Sequence, residues 1–345
     1  MNKIIIASTR ESAGKTSIIV GLNKALGKKT GYIKPFGDRL IYRRKKNWDY
    51  DASLLVQILG IDEEPESISL GFNHAKLRYV YDQESTMKAV VEMADNIGKG
   101  KDLLFVEGGK DLAYGASIDL DSISLARYLK AKLVVVTSGD SDSVYDDIRH
   151  LKKNHSMEGV NFGGVIANKV PDVDDFEASI AGKIRDMGVN LLGVIPYKEQ
   201  LTFYAVSFLA ERLFAKVIAG EKGLNNVVKN IFVGAMSTEE SMRNPLFNKE
   251  NKFLITSGDR SDMILAAIES DSIGILLTNN ILPPANIVSK AADKNIPLLL
   301  VPMDTFEASK KIDRLEALPT KENTAGIQAM AQLVEKYVKL EELVK

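Results

Sequence analysis

Three consecutive residues, Gly14-Lys15-Thr16, carry the chemistry most readily read from this chain. A glycine lets the backbone approach a phosphate closely, and the amide groups at a helix start point at it. Lys15 would reach the β- and γ-phosphates of a nucleotide, and Thr16 would set its hydroxyl on Mg²⁺. The strict phosphate-loop pattern asks for a second glycine at position 9, where this chain has Thr9. The setting supplies what the pattern lacks. Ile4-Ile5-Ile6-Ala7 reads as a buried strand, a polar turn follows, and 16–26 is helix-competent. Ala13, Gly14, Lys15, Thr16 and Ser17 are therefore the expected nucleotide-binding residues, with Lys15 also catalytic.

Companion residues stand at the ends of later strands. Glu107 closes the apolar run Leu103-Leu104-Phe105-Val106 and precedes Gly108-Gly109. An acid there sits in the ligand crevice of an α/β sheet and can hold Mg²⁺, directly or through water. Asp49 and Asp51 stand before a helical stretch, where Asp51 either caps the helix or serves as a second magnesium carboxylate. Asn168-Lys169 follows the strand Gly164-Val165-Ile166-Ala167, and a side-chain amide there can pair with a purine edge. The guanine-reading pattern would need aspartate at 171, but Pro171 is present, which favours adenine. Pro196 marks another crevice loop, after Leu191-Leu192-Gly193-Val194-Ile195. The basic stretch Arg39, Arg43, Arg44, Lys45 and Lys46 either receives an anionic substrate or, the plainer reading, forms a solvated face.

The elements that must position these residues follow one pattern: apolar run, polar turn, amphipathic stretch. Uninterrupted rather than alternating strands are what a parallel sheet covered on both faces requires. Helical stretches at 86–97 and 120–130 separate the runs. The expected fold is α/β, a P-loop NTPase doubly wound parallel sheet followed by a second, smaller α/β domain. In the second series, strand-like runs begin near 230, 252, 272 and 296. A helical segment at 206–219 and the turn Gly220-Glu221-Lys222-Gly223 put the boundary near 220, giving domains 1–219 and 220–345. The chain ends in a candidate amphipathic helix over 324–344, with Ile327, Met330, Val334, Tyr337 and Val338 on one face.

Composition excludes several classes of function. With 345 residues, two domains are the better expectation. The absence of cysteine removes disulfides, thiolate metal sites and a cysteine nucleophile. His74, His150 and His155 lack zinc-site spacing. A formal net charge of -1 gives no reason to expect nucleic acid or an anionic membrane as partner. No apolar run is long enough to span a membrane, and the first apolar stretch is too short for a secretion signal. The expectation is a cytoplasmic protein.

Together the motifs Ser12-Ala13-Gly14-Lys15-Thr16, Gly31-Tyr32-Ile33-Lys34-Pro35, Asp49-x-Asp51-Ala52, Val106-Glu107-Gly108-Gly109, Ala167-Asn168 and Ile195-Pro196 resemble the dethiobiotin synthetase group of P-loop enzymes. The likeness covers roughly the first 215 residues. It implies that Lys15 and Thr16 bind phosphates and Mg²⁺, that Asp51 and Glu107 complete the metal site, and that Asn168 touches adenine. It also implies that Lys34 is catalytic, contacting a carbamate and the transferring phosphate. The family's longer glycine-rich motif after the glutamate is shortened here to Gly108-Gly109-Lys110-Asp111, which argues against its diamine substrate. The second part resembles a DRTGG domain through Thr256-Ser257-Gly258-Asp259-Arg260-Ser261-Asp262 and Ile296-Pro297-Leu298-Leu299-Leu300-Val301. Asp259 and Arg260, at a strand-to-helix turn, either bind an anionic effector or serve as cap and structural ion pair. The whole chain is similar to the N-terminal, non-catalytic region of long phosphotransacetylases, without the acyltransferase domain that would follow. Phosphate acetyltransferase activity is therefore not expected, and both families imply a homodimer.

Two functions follow. One is a Mg-ATP-binding regulatory or sensor ATPase whose DRTGG domain serves effector binding or dimerisation. The other is an ATP-dependent ligase that phosphorylates a carboxylate or carbamate, where Lys15, Lys34 and Mg²⁺ neutralise the moving charge. The extra domain favours the first. A scaffold with a vestigial loop is disfavoured because Lys15, Thr16, Asp51 and Glu107 all remain.

Overall fold

The computed structural model describes residues 1–345 apart from 44, 316, 318–320, 322 and 345, and leaves the side chains of 42 and 43 undescribed. Among the described residues two compact units form, Met1–Lys198 with 319–345, and Glu199–Leu318.

The first unit opens with β1 (Asn2–Ser8), whose apolar run is wholly buried, and α1 (Lys15–Leu26), which ends at a left-handed Gly27. After β2 (Thr30–Ile33) comes an antiparallel hairpin, β3 (Leu40–Arg43) and β4 (Lys46–Asp49), leading into α2 (Tyr50–Leu59). Helices α3 (His74–Val80) and α4 (Gln83–Gly98) follow, the latter started by a reciprocal Asp82–Ser85 capping box. Then β5 (Leu103–Glu107), α5 (Ser122–Leu129), β6 (Lys132–Ser138), α6 (Ser141–Asn154) and β7 (Asn161–Val170) alternate. A helix built from α7 (Val173–Phe176), a π turn and α8 (Gly182–Asp186) leads to β8 (Leu191–Pro196).

Six of these strands pair in parallel in the order β2-β5-β1-β6-β7-β8. From β1 the chain first fills one side, with β2 at the edge and β5 then inserted next to β1, and afterwards builds outward on the other through β6, β7 and β8. The C-terminal end of β1 is therefore the topological switch point, where open α/β sheets place ligands. The doubly wound parallel sheet expected from the sequence is present. Sequence patterning missed β2 and the β3–β4 hairpin, because Thr30–Ile33 is short and the hairpin is largely polar.

The second unit contains the small pair β9 (Tyr204–Ala205) and β11 (Val227–Val228), with α9 (Val206–Arg212) and β10 (Lys216–Ala219) between them. Next come β12 (Asn230–Val233), α10 (Thr238–Arg243), β13 (Lys252–Ser257), α11 (Ser261–Glu269), β14 (Gly274–Thr278), α12 (Ala285–Asp293), β15 (Leu298–Leu300) and α13 (Thr305–Asp313). Its sheet runs β10-β15-β14-β13-β12, parallel except for β10. Leu254, Ile264, Ile275, Leu277, Ile287 and Leu298 share its core.

Two expectations are corrected. The helical stretch at 206–219 is α9 followed by strand β10, because Phe214 takes a left-handed φ of 52° and Lys216, Val217 and Ala219 then pair with β15. The units divide at 198/199 rather than 219/220, and the terminal helix belongs to the first unit. That helix is α14 (Thr324–Tyr337) and α15 (Leu340–Val344), interrupted where Val338 bridges Gly193. A methyl group on Gly21 of α1 would lie 2.6 Å from Val334 and 3.0 Å from Met330, so the small residue allows α14 to pack closely. The apolar face predicted for this helix is thus core packing.

Candidate functional site

The turn between β1 and α1 lies at the switch point. Ser12 and Gly14 take left-handed φ values of 60° and 98°, and Gly14 is the N-cap of α1 with no side chain capping it. The amides of the first helical turn therefore remain directed at the crevice. A side chain at Gly14 would overlap the Asn168 amide as well as being strained. The Asn168 amide nitrogen donates to the Ala13 carbonyl at 2.8 Å, and Lys169 donates to the Ser12 carbonyl at 2.7 Å. The end of β7 thus braces the loop. The donor that a purine edge would use is here engaged by Ala13.

Lys15 is buried, with Nζ donating to Ser8 Oγ at 2.9 Å and to the Lys110 carbonyl at 3.5 Å. Burial pulls its pKa down, against the opposing pull of Glu107. Thr16 Oγ1 donates to Glu107 Oε1 at 2.8 Å, and Tyr32 OH donates to Glu107 Oε2 at 2.7 Å. Burial pushes the Glu107 carboxyl up to about 7; Lys34 and Lys15 pull it down, and Asp51 pushes it up further. These charges therefore share one field. Ser17 is half-buried on the first turn of α1, and Pro196 ends β8 opposite Val170 at the same edge of the sheet.

Lys34, wholly buried just past β2, is surrounded by acids. Its Nζ lies 2.6 Å from Asp38 Oδ1, 2.7 Å from Asp51 Oδ2 and 3.2 Å from Asp49 Oδ1. Burial lowers its pKa, but the three carboxylates outweigh that and hold it well above the ordinary lysine value. Asp51 also pairs with Arg39 at 3.2 Å. Despite burial, Lys34 and Arg39 hold the Asp51 carboxyl down at about 2.

Of the two roles open to Asp51, helix capping falls to Asp49. Its side chain accepts from Ala52 N at 3.0 Å and from the Asp38 and Arg39 amides at 3.0 and 3.1 Å. Asp51 projects from the first turn into the ion-pair cluster. The basic stretch also divides. Arg39 joins the site, reaching Ser12 Oγ at 3.5 Å, whereas Lys46 pairs with Glu66 and Lys45 is exposed. Arg44 and the Arg43 side chain lie outside the described residues.

Sequence reasoning missed Tyr32, Asp38 and the Asp147 carboxylate on α6, which accepts from the side chains of Thr9, Arg10 and Thr137. Tyr32 had a signal, since it lies within Gly31-Tyr32-Ile33-Lys34-Pro35, two residues before Lys34. Asp147, one acid among several on α6, had none.

In the second unit, Gly258 admits no side chain because a methyl group there would overlap the Ile281 carbonyl. Arg260 is the N-cap of α11. Its guanidinium donates to the Gly234 carbonyl at 3.3 Å and the Met236 carbonyl at 3.0 Å, with Asp262 at 3.5 Å. Asp259 is exposed and does not cap the helix. The capping role expected for it is thus corrected, and Arg260 ties the loop after β12 to α11.

Residues 2–205 match the family model described as AAA domain, and residues 208–315 match the DRTGG domain. The expected order, a phosphate-loop domain and then a DRTGG domain, stands. Curated relatives include a phosphate acetyltransferase of Synechocystis sp., 22% identical over 91% of this chain and 47% of the relative. A cobyrinate a,c-diamide synthase of Listeria monocytogenes is 27% identical over 57% of this chain and 40% of that protein. The chain spans about half the length of the phosphate acetyltransferases it matches. Among solved structures, the CBS and DRTGG domains of the regulatory region of Clostridium perfringens pyrophosphatase, complexed with diadenosine tetraphosphate, align at 19% identity over 41% of this chain and 69% of that one. The TM-score is 0.28, a level of likeness that carries no argument.

Proposed function

The chain belongs to the AAA domain family, and from that premise we propose that it binds ATP with Mg²⁺ at the β1–α1 turn and acts as a regulatory ATPase. The observation that carries this reading is the Thr16–Glu107–Tyr32 hydrogen-bond chain beside the buried Lys15. Main-chain amides at the start of α1 cradle the phosphates, and Lys15 exchanges Ser8 for a phosphate oxygen. The donor set suits a magnesium ion: one hydroxyl and one carboxylate, with the remaining positions left to water and phosphate. A carboxyl held near neutral pKa by burial also marks a place short of positive charge, which a cation would relieve. Thr16 and Glu107 would hold the ion, with Asp51 close enough to act in the same field. Bound there, Mg²⁺ neutralises charge on the phosphates.

The ligase reading requires Lys34 to face an anionic acceptor. Its ammonium is already neutralised by Asp38, Asp49 and Asp51 and has no exposure to solvent. That supports the regulatory reading, in which the DRTGG domain responds to the nucleotide state.

Thermal denaturation with and without Mg-ATP tests nucleotide binding. Mg-ATP raises the midpoint of the wild type and leaves Lys15→Ala unmoved. Equal midpoints for the wild type with and without ATP or GTP would sink the proposal. Phosphate release then separates the two activities. Stimulation by amino-carboxylates or diamines with bicarbonate would mark a ligase, whereas a slow rate indifferent to them marks the regulatory ATPase.

A further inference from the structure

Arg39 carries the basic stretch into the crevice. Its Nη1 donates to Asp51 Oδ1 at 3.2 Å and its Nη2 to Ser12 Oγ at 3.5 Å. Ser12 belongs to the phosphate loop itself, where it takes a left-handed φ of 60°. Arg39 follows β2, and β2 pairs with β5, whose end carries Glu107. The strand order therefore sets Arg39 and Glu107 to one side of β1, and Asn168 and Pro196, at the ends of β7 and β8, to the other. A nucleotide whose base lies towards β7 and β8, with its later phosphates beside Thr16 and Glu107, ends in its terminal phosphate on the Arg39 side.

Two cations flank Asp51, and they are held differently. The Lys34 side chain has no exposure and serves Asp38, Asp49 and Asp51 together, so withdrawing it strips three carboxylates at once. The Arg39 side chain is 17% exposed, and the Asp51 it pairs with keeps Lys34 at 2.7 Å on its other oxygen. The bond from Arg39 to Ser12 lies at the long limit of a hydrogen bond, and its acceptor is an uncharged hydroxyl. Exchanging that hydroxyl for a phosphate oxygen replaces a weak neutral acceptor with a charged one. The planar guanidinium suits the exchange, because it can keep a carboxylate on one nitrogen while the other turns to a phosphate.

We propose that Arg39 reads the terminal phosphate of the bound nucleotide, so that the site distinguishes a nucleoside triphosphate from a diphosphate. The inference rests on nucleotide binding at the β1–α1 turn. Asp51 holds Nη1 in place, and Nη2 exchanges Ser12 Oγ for an oxygen of the γ-phosphate. A diphosphate ends short of that position and leaves Arg39 on Ser12. The regulatory reading thereby gains a named residue whose partner changes with the state of the nucleotide.

Calorimetric titration of the full chain in Mg²⁺ tests this, with ADP and with the β,γ-imido analogue of ATP, which keeps the third phosphate and resists hydrolysis. The wild type binds the analogue about tenfold more tightly than ADP. Arg39→Gln loses that preference: it binds the analogue about tenfold more weakly and ADP as the wild type does. Arg39→Lys, which keeps the charge without the fork, recovers part of the loss. Circular dichroism shows whether the variants fold, and the wild-type ratio with Arg39→Lys carries the test if Arg39→Gln does not. Equal wild-type affinities for the two ligands would overturn the inference. So would an undiminished preference in a folded Arg39→Gln protein, or a parallel loss of both ligands, which would make Arg39 a tie between Asp51 and the loop and nothing more. Each of these leaves nucleotide binding standing, whereas no isotherm with either ligand would overturn that reading as well.

Discussion

The hydroxyl of Thr9 donates to Asp147 Oδ2 at 2.7 Å, joining the phosphate loop to α6 at the position where the loop pattern would have glycine. The same carboxylate accepts from Arg10 Nε at 2.8 Å and Thr137 Oγ1 at 2.9 Å, and its other oxygen accepts from Arg10 Nη2 at 2.5 Å. Burial pushes the Asp147 carboxyl up, but Arg10, Thr9 and Thr137 outweigh that and hold it below the ordinary range. Threonine at position 9 is thus a tether that replaces the conformational freedom of glycine. Asp147→Ala should cost about 2–3 kcal/mol in denaturant unfolding, because it removes charge-assisted bonds to partners that stay in place. It should also weaken Mg-ATP binding several-fold while leaving Lys15 untouched. Undiminished ATP affinity in a destabilised Asp147→Ala protein would limit the tether to a structural role.

That tether shows where the sequence stops being legible. Gly14-Lys15-Thr16 and Glu107 could be read because strand, turn and helix place them locally. The apolar runs likewise marked the buried strands, since a covered parallel sheet leaves no alternation to misread. Asp147 meets Thr9 only through the pairing of β1 with β6 and the return of α6, neither of which has a signature in the residues concerned. Asp49 and Asp51 illustrate a finer limit. Both are acids at a helix start, and only the chain direction at Asp49, with φ of -81° and ψ of 134°, makes it the cap. At 206–219 helical periodicity continued through residues whose backbone reverses at Phe214, a left-handed turn that pattern alone does not reveal.

A pH dependence follows from Glu107. In the folded protein its carboxyl titrates at about 7 rather than at the ordinary 4.5, with burial the largest cause. Between those values the folded state keeps a proton that the unfolded state has lost, so stability falls as pH rises through this window and levels off above it. Glu107→Gln should remove this fall. Relative to wild type, measured without Mg²⁺, the variant gains stability on going from acid to neutral pH, by an amount on the order of 3 kcal/mol. Denaturant midpoints of both proteins across the window check it. A difference independent of pH would mean that Glu107 is ionised throughout.

Two glycines make a matched test of backbone packing. Gly258 lies against the Ile281 carbonyl, and a backbone atom cannot rotate away as a side chain can. Gly258→Ala should therefore destabilise by about 3 kcal/mol, towards the upper end of overpacking effects. Gly182 begins α8 with helical φ and ψ of -59° and -48°, and beyond its chain neighbours and its own helix backbone no heavy atom lies within 4 Å of where its methyl group would go. Gly182→Ala should stabilise by about 0.5–1 kcal/mol. Thermal midpoints that move the same way in both variants would contradict this account.

Lys34 provides the sharpest test of the ion-pair cluster. Removing its ammonium leaves Asp38, Asp49 and Asp51 facing one another, with the Arg39 guanidinium paired to Asp51. Breaking a buried ion network from one side costs about 3–5 kcal/mol, and Lys34→Met, which keeps the apolar stem, should lose that much at neutral pH. The sign of the Asp51 contribution to the pH response should also change. In the wild type the Asp51 carboxyl titrates at about 2, below its ordinary 3.8, so it contributes stability above 3.8 that is lost as pH falls towards 2. In Lys34→Met the crowded carboxylates hold protons more tightly than in the unfolded chain, so mild acid stabilises the variant more than it does the wild type. Adding Asp51→Asn removes one repelling charge and should restore part of the loss at neutral pH. Midpoints at neutral and mildly acidic pH for wild type, single and double variants test all three statements. A Lys34→Met protein as stable as wild type at neutral pH would show that the three acids do not depend on Lys34 for their charge balance.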